Sequence, residues 1–249
     1  MTDPQPLSTP AIWWRRPSVL ALLITLGLLG GALAWPLLQA WSGGPERSVP
    51  VQGLPWQVTA DGAGGSEVFG LALGQATLAD VEARWGHDLV VALIAAPGQA
   101  PALEAYVEGF QAAFVTGKLV VAFDVDPAWV VRARDRSTRS EIGEGAVRKH
   151  ELAPDDRGDA RRLRVAALSF VPSARLDEAA VLQRFGPAAE RITGPDGELH
   201  LLFPDRGVAV VLPPATGSMA KARSLIQYVA PAQFEERLVL PLRKASPSR

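Results

Sequence analysis

Val81-Glu82-Ala83-Arg84-Trp85-Gly86 and Val181-Leu182-Gln183-Arg184-Phe185-Gly186 share the pattern V-x-x-R-aromatic-G at an offset of 100 residues. Each closes a segment in which apolar side chains recur every three or four positions: Leu78, Val81 and Trp85 within 77–85, and Val181, Leu182 and Phe185 within 176–185. That period puts the apolar residues on one stripe of a helix. Asp80 in the first segment, and Asp177 with Glu178 in the second, lie early, where the positive end of the helix dipole favours them. The closing glycines suit a left-handed residue after the last helical turn.

Working outward, each helix is followed by strand-like runs. After Gly86 come 88–95, 103–110 and 118–125, with Val115-Thr116-Gly117 as a hairpin turn. After Gly186 come 190–193, 199–203 and 208–212, separated by Pro195-Asp196-Gly197 and Pro204-Asp205-Arg206-Gly207. Between the halves, 146–152 and 162–172 read as a strand pair joined by Asp155-Asp156-Arg157-Gly158-Asp159, and 127–134 as a short helix. Residues 224–229 read as a strand and 232–240 as a short helix or docking tail. The expectation is an α+β fold of two repeated helix-plus-antiparallel-sheet units, 68–172 and 173–249, the second including the C-terminal tail.

Before the repeat, residues 17–41 carry no charge. At 1.5 Å per residue they are long enough to cross a hydrocarbon core of about 30 Å as a transmembrane helix. Trp13 and Trp14 stand at one end, Trp35 and Trp41 at the other, as at membrane interfaces, and Arg15 and Arg16 precede the run. The positive-inside rule then keeps 1–16 in the cytoplasm and exports everything after residue 42. Ala32-Leu33-Ala34 leaves cleavage by a signal peptidase open. Residues 42–67, rich in Gly, Pro and Ser, read as a linker. Arg outnumbers Lys about five to one, Asn is absent and Ala abundant, a bias of GC-rich bacterial genomes. The expected location is therefore the bacterial inner membrane, single-pass, with a periplasmic C-terminal domain.

Composition excludes several classes. With 249 residues, 48% of them hydrophobic, and a net charge of −1, the chain is no disordered tail and lacks the basic excess of a dedicated nucleic-acid binder. The absence of Cys rules out disulfides, zinc-thiolate sites, a thiol nucleophile and a lipid-modified Cys.

Val181-x-x-Arg184-Phe185-Gly186-Pro187, then Leu199-His200-Leu201-Leu202-Phe203-Pro204 and Gly207-Val208-Ala209-Val210, resemble the SmpA/OmlA (BamE-like) family of small bacterial envelope domains over about 176–214. In that family a helix ending in a Gly- and Pro-containing turn leads into a hairpin with an aromatic first strand. Gly70-Leu71-Ala72-Leu73-Gly74 and 77–86 look like the family's lead-in, although His87 and Asp88 follow Gly86 where Pro is expected. The resemblance implies no catalytic residues. A tandem pair of such units would resemble the beta-lactamase inhibitor protein, which binds proteins through its sheet surface.

Catalytic patterns are sparse. Ser218-Met219-Ala220-Lys221 has the S-x-x-K spacing that sets a hydroxyl one turn from a lysine, but without the S-D-N and K-T-G elements that accompany it in acylases. Thr116-Gly117-Lys118 lacks the upstream Gly of a phosphate loop, that position being Ala112. His87, His150 and His200 are far apart, so no metal-ligand spacing arises. Glu198 and His200 alternate onto one side of a strand and read as a satisfied polar pair on the solvent face, Asp124 with Asp126 as an acidic strand terminus before Pro127, and the mixed charges of 132–164 as solvated loops and a hairpin. The reading is a non-catalytic, membrane-anchored envelope binding or accessory protein with a protein partner, no nucleic acid, no metal and no cofactor. Trp56, Tyr106, Phe110 and Tyr228 are the partner-binding candidates. A lipid- or small-molecule-binding domain is the alternative, and a serine-lysine hydrolase using Ser218 and Lys221 a third.

Overall fold

The structure, a computed structural model, describes residues 51–86, 88–143, 146–217 and 222–245. Residues 1–16 and 17–41, expected as a cytoplasmic segment and a transmembrane helix, and the first part of the expected linker lie outside the described residues. Among the described residues no helix is long and apolar enough to cross a membrane.

The described residues build a ten-stranded antiparallel sheet and a separate three-stranded one. The small sheet is β1 (Thr59–Ala60), β2 (Ser66–Val68) and β3 (Leu71–Leu73). Helix α1 (Leu78–Trp85) leads to β4 (Val90–Ala95), β5 (Ala102–Ala112) and β6 (Val115–Phe123). Then come α2 (Pro127–Asp135), β7 (Arg139–Ile142), β8 (Arg148–Glu151), α3 (Pro154–Ala160) and β9 (Val165–Pro172). Helix α4 (Glu178–Phe185) leads to β10 (Glu190–Thr193), β11 (Leu199–Phe203), β12 (Val208–Leu212) and β13 (Leu225–Val229), and α5 (Leu240–Ala245) follows. The large sheet runs β10-β11-β12-β13-β9-β6-β5-β4-β8-β7.

The expected α+β class with two repeated helix-plus-sheet units is corrected on two counts. Strands dominate, and the helices are short, six to nine residues each. The strands following α1 and α4 also do not close into separate sheets, because β9 pairs with β6 on one side and with β13 on the other. A strand with a partner on each side leaves no unpaired edge between the halves, so their backbone groups are satisfied in one ladder.

Local chemistry accounts for the helix ends and for further corrections. The Thr77 amide donates to Asp80 at 2.8 Å, and Asp177 caps α4 by accepting from the Ala180 amide at 2.7 Å. Gly86 stays right-handed at φ −53, and Gly186 after α4 takes the positive φ of +83 but with an extended ψ of −167, so neither adopts the left-handed helical conformation expected of both. Residues 154–160, expected as a loop, form α3, started by Pro154 with Asp155 and Asp156 in the first turn. Strand β8 pairs with β4 and β7, and not with 162–172. The β5–β6 turn is Ala113-Phe114, since Ala112 already pairs with Val115. Gly117 serves packing instead, because a side chain there would collide with the Phe170 ring.

Strand alternation divides the large sheet into two faces. Leu103, Ala105, Leu119, Val121, Leu168, Phe170, Leu201, Val210, Ile226 and Tyr228 point to one face and are buried with Leu78 and Val81 of α1 and Val181 and Phe185 of α4. The small sheet drives a plug into this core. Its β2–β3 turn, Phe69-Gly70, has φ +53 and +75, and the Phe69 ring packs edge-on against Phe110, Phe170 and Tyr228 at centroid distances of 5.1, 5.9 and 5.5 Å. Residues 54–57, expected as linker, belong to the folded unit: Leu54 and Pro55 are buried and the Pro55 carbonyl accepts from the Tyr228 hydroxyl at 2.9 Å.

On the other face the C-terminal segment covers part of the sheet. Phe234 and Val239, with Leu238 and Leu242, pack on Ala167, Ile192, Leu202, Ala209 and Val229. A π turn, Glu235–Val239, precedes α5, whose second residue is Pro241; the missing N–H and bulky ring of Pro241 interrupt a regular α ladder with the turn before it. Arg237 pairs with Asp124, and Arg243 with Glu190 at 3.0 Å and Glu235 at 3.2 Å, pinning the segment.

Phe69→Ala removes the plug from a packed aromatic site and is expected to lower unfolding free energy by about 3–5 kcal/mol in urea titration. Tyr228→Phe leaves the buried Pro55 carbonyl without its donor and is expected to lower the urea midpoint by the equivalent of about 1–3 kcal/mol, with the slope unchanged.

Candidate functional site

The part of the second face that the C-terminal segment and the other described residues leave open is the candidate site. Strand register places Glu104, Tyr106 and Glu108 of β5, Lys118 and Val120 of β6, Ser169 and Val171 of β9, Leu225 and Gln227 of β13, Val211 of β12 and His200 of β11 on this side. Glu108 is exposed, and each of the others is only half-buried.

Tyr106 is the centre of its polar part. Lys149, reaching in from β8, donates from Nζ to the phenol oxygen at 2.5 Å. Lys118 Nζ lies 4.9 Å and Lys149 Nζ 5.1 Å from the ring centroid, so two cations flank one π system. Lys118 also pairs with Glu108 at 2.7 Å. Glu104 lies opposite Ala122 and Ala92 in the ladder. Burial pushes its carboxyl above the ordinary range, against the opposing pull of Lys118. Beyond Lys149 the face continues into an open cleft of about 290 Å³ lined by Leu89, Val90, Arg139, Glu141, Glu151 and Arg157. Arg139 is held by Glu141 at 2.8 Å and Arg157 by Glu82 at 3.5 Å, so these guanidinium groups already have counter-charges.

The four sequence candidates separate. Tyr106 is half-exposed at the centre of this cluster. Phe110 and Tyr228, 4% and 0% exposed, are members of the core aromatic cluster and present no surface to a partner. Trp56 is half-buried elsewhere, with the Arg184 guanidinium stacked 4.1 Å from its ring centroid and Phe114 at 6.3 Å. Lys118 and Lys149 were not among the candidates. Their signal in the sequence is rarity: against so many arginines there are four lysines, and two of them meet at Tyr106.

The other constellations stay apart. Ser218 and Lys221 lie outside the described residues. Glu198 and His200 form a pair at 3.3 Å on β11 and its approach; against the upward push of partial burial, the Glu198 carboxyl is held low by its own backbone amide and then by His200. His150 Nδ1 is 3.4 Å from the Ser137 hydroxyl, while its Nε2 is buried without a partner. Among the described residues no three His, Cys, Asp or Glu side chains gather as a metal would require. No protein-family model, curated protein or solved structure matches the chain.

The position of Glu104 has a pH consequence. An acid whose folded pKa is raised binds more protons folded than unfolded between its unfolded and folded values, so stability falls as pH rises through that window. Glu104→Gln is expected to raise the neutral-pH melting temperature, and to remove this component of the stability loss on going upward from about pH 4.5, when melts are compared across pH.

Proposed function

We propose that this chain is a non-catalytic accessory protein of the bacterial cell envelope, tethered to the inner membrane through residues 17–41 and holding an envelope protein against the open face of its sheet. The observation that carries this reading is the Tyr106 cluster: an amphipathic aromatic flanked by Lys118 and Lys149, beside an uncovered strip containing Val120, Val171, Val211 and Leu225. An aromatic anchor, aliphatic surroundings and a rim of ion pairs are the composition of protein interfaces. The tether is supported by the charge-free run with Trp at both ends and by Arg15 and Arg16 before it. The resemblance of residues 176–214 to SmpA/OmlA envelope domains points the same way.

The lipid-binding alternative calls for an apolar cavity between helix and sheet, and the packing of α4 leaves little room for one. The pocket between α4 and the sheet, lined by Trp56, Phe170, Leu176, Val181 and Phe185, measures about 20 Å³. Ligand pockets for organic molecules run to about 300–1,000 Å³.

The test is site-specific photo-crosslinking of the full-length protein in cells, with the reactive residue at Val171 or Tyr106. One envelope protein recovered from these positions, and not from exposed Ile142 on β7, is the expected result. Tyr106→Ala combined with Lys118→Glu is expected to reduce that recovery about tenfold or more at unchanged melting temperature. Equal recovery of abundant neighbours from all three positions overturns the reading.

A further inference from the structure

We propose that the tip of the β5–β6 hairpin, Phe114 with Trp56 beside it and Arg184 above, is a second contact of this domain with the membrane surface, seated among anionic phospholipid headgroups. The inference rests on the tether proposed above.

The tip carries an unfavourable residue choice twice over. A two-residue hairpin ordinarily places Gly or Asn where φ is positive, yet Ala113 occupies that position at φ +55. A left-handed backbone is disfavoured for a non-Gly residue because its Cβ crowds the following carbonyl oxygen. The following residue is Phe114, 67% exposed, where a polar residue would serve the turn at least as well. Neither choice contributes to the core. A turn that holds a phenyl ring out into solvent at the expense of backbone strain fits a ring that acts outside the folded domain.

The surroundings fit a lipid interface. Trp56 stands 6.3 Å from Phe114, and its ring carries the Arg184 guanidinium at 4.1 Å. Val51, 47% exposed, begins the same folded segment. Aromatic rings that sit at headgroup depth, with a cation free to reach lipid phosphate, are the usual furniture of a membrane boundary. Acidic groups on the neighbouring helix are engaged: Glu178 pairs with Arg191 at 2.9 Å, and Asp177 caps the Ala180 amide. Arg175, exposed, follows Ser173, whose amide bonds the Thr116 carbonyl at the hairpin base, and adds a cation to this end.

The length of chain before the fold supplies the third argument. Ten residue steps separate Trp41 from Val51, and an extended chain of that length reaches at most about 35 Å. Trp56 lies five residues further on, so a tether at 17–41 would bound the distance of this segment from the bilayer more tightly than that of strands later in the chain. At millimolar effective concentration a contact of a few apolar side chains and two arginines suffices.

The absence of Cys makes a single label specific. Full-length protein with Thr116→Cys, carrying the environment-sensitive dye NBD, is reconstituted into vesicles of phosphatidylethanolamine and phosphatidylglycerol, and quenching by doxyl-labelled lipid is measured on the fraction that floats with them. The expected result is a blue-shifted dye quenched by the doxyl lipid, loss of both effects when Phe114→Glu is added, and an unquenched dye at Ile142→Cys. Flotation without quenching at position 116 overturns the contact and leaves the tether standing. A blue shift without doxyl quenching marks a second protein copy at the tip and also overturns it, as does equal quenching at positions 116 and 142. Failure to float overturns the tether and this inference together.

Discussion

The edge-on packing of Phe69 against Phe110, Phe170 and Tyr228 is the contact on which the domain most depends. It joins three pieces that are distant in sequence: the small sheet, the long β5 strand, and the β9–β13 pair at the middle of the large sheet. The contact requires Phe69 to adopt a left-handed backbone, an arrangement that persists because the ring is almost wholly buried and the following Gly70 completes the turn without strain. Tyr228 extends the same cluster outward through its hydroxyl to Pro55, so the entry segment of the domain is closed onto the core.

A sheet this wide has two faces to account for. The first is sealed by α1, α4 and the plug. Among the described residues the second receives only the C-terminal segment, whose apolar residues meet Leu202, Ala209 and Val229 while its arginines reach Asp124 and Glu190. The sheet's outer strands are short and charged: β7 is Arg-Ser-Glu-Ile and β10 is Glu-Arg-Ile-Thr, which discourages strand addition at either edge. The surface left for the proposed partner is thereby the face of the sheet, where Tyr106 is already ordered by two lysines. Pre-ordering of a long, flexible cation against a ring reduces the entropy lost on association.

The proposed membrane contact and the proposed partner surface lie on different parts of the domain, one around the Phe114 tip on the side of α4 and Trp56, the other on the opposite face of the sheet. A domain held to the bilayer at two points would have its orientation restricted. Its open face would then be presented to an envelope protein in a defined direction, which favours capture of partners by lowering the rotational freedom lost on binding.

Local pattern in the sequence was enough to place α1 and α4, β11, β12 and β13, and the start of α2, because amphipathic period, capping acids and Gly/Pro turns act over a few residues. The charge-free run at 17–41, too, is a property of sequence alone. Local pattern could not show that β9 would take a partner on each side, since pairing between 165–172 and 225–229 is a long-range choice made by satisfying strand edges. Nor could it tell Phe110 from Tyr106, which four residues apart would share a face in a regular strand, because the register shift between Val107 and Phe110 turns Phe110 into the core while Tyr106 stays on the open face; Tyr228 likewise awaited the register of β13. A one-residue shift exchanges the faces of a strand, and only tertiary packing decides which face water sees.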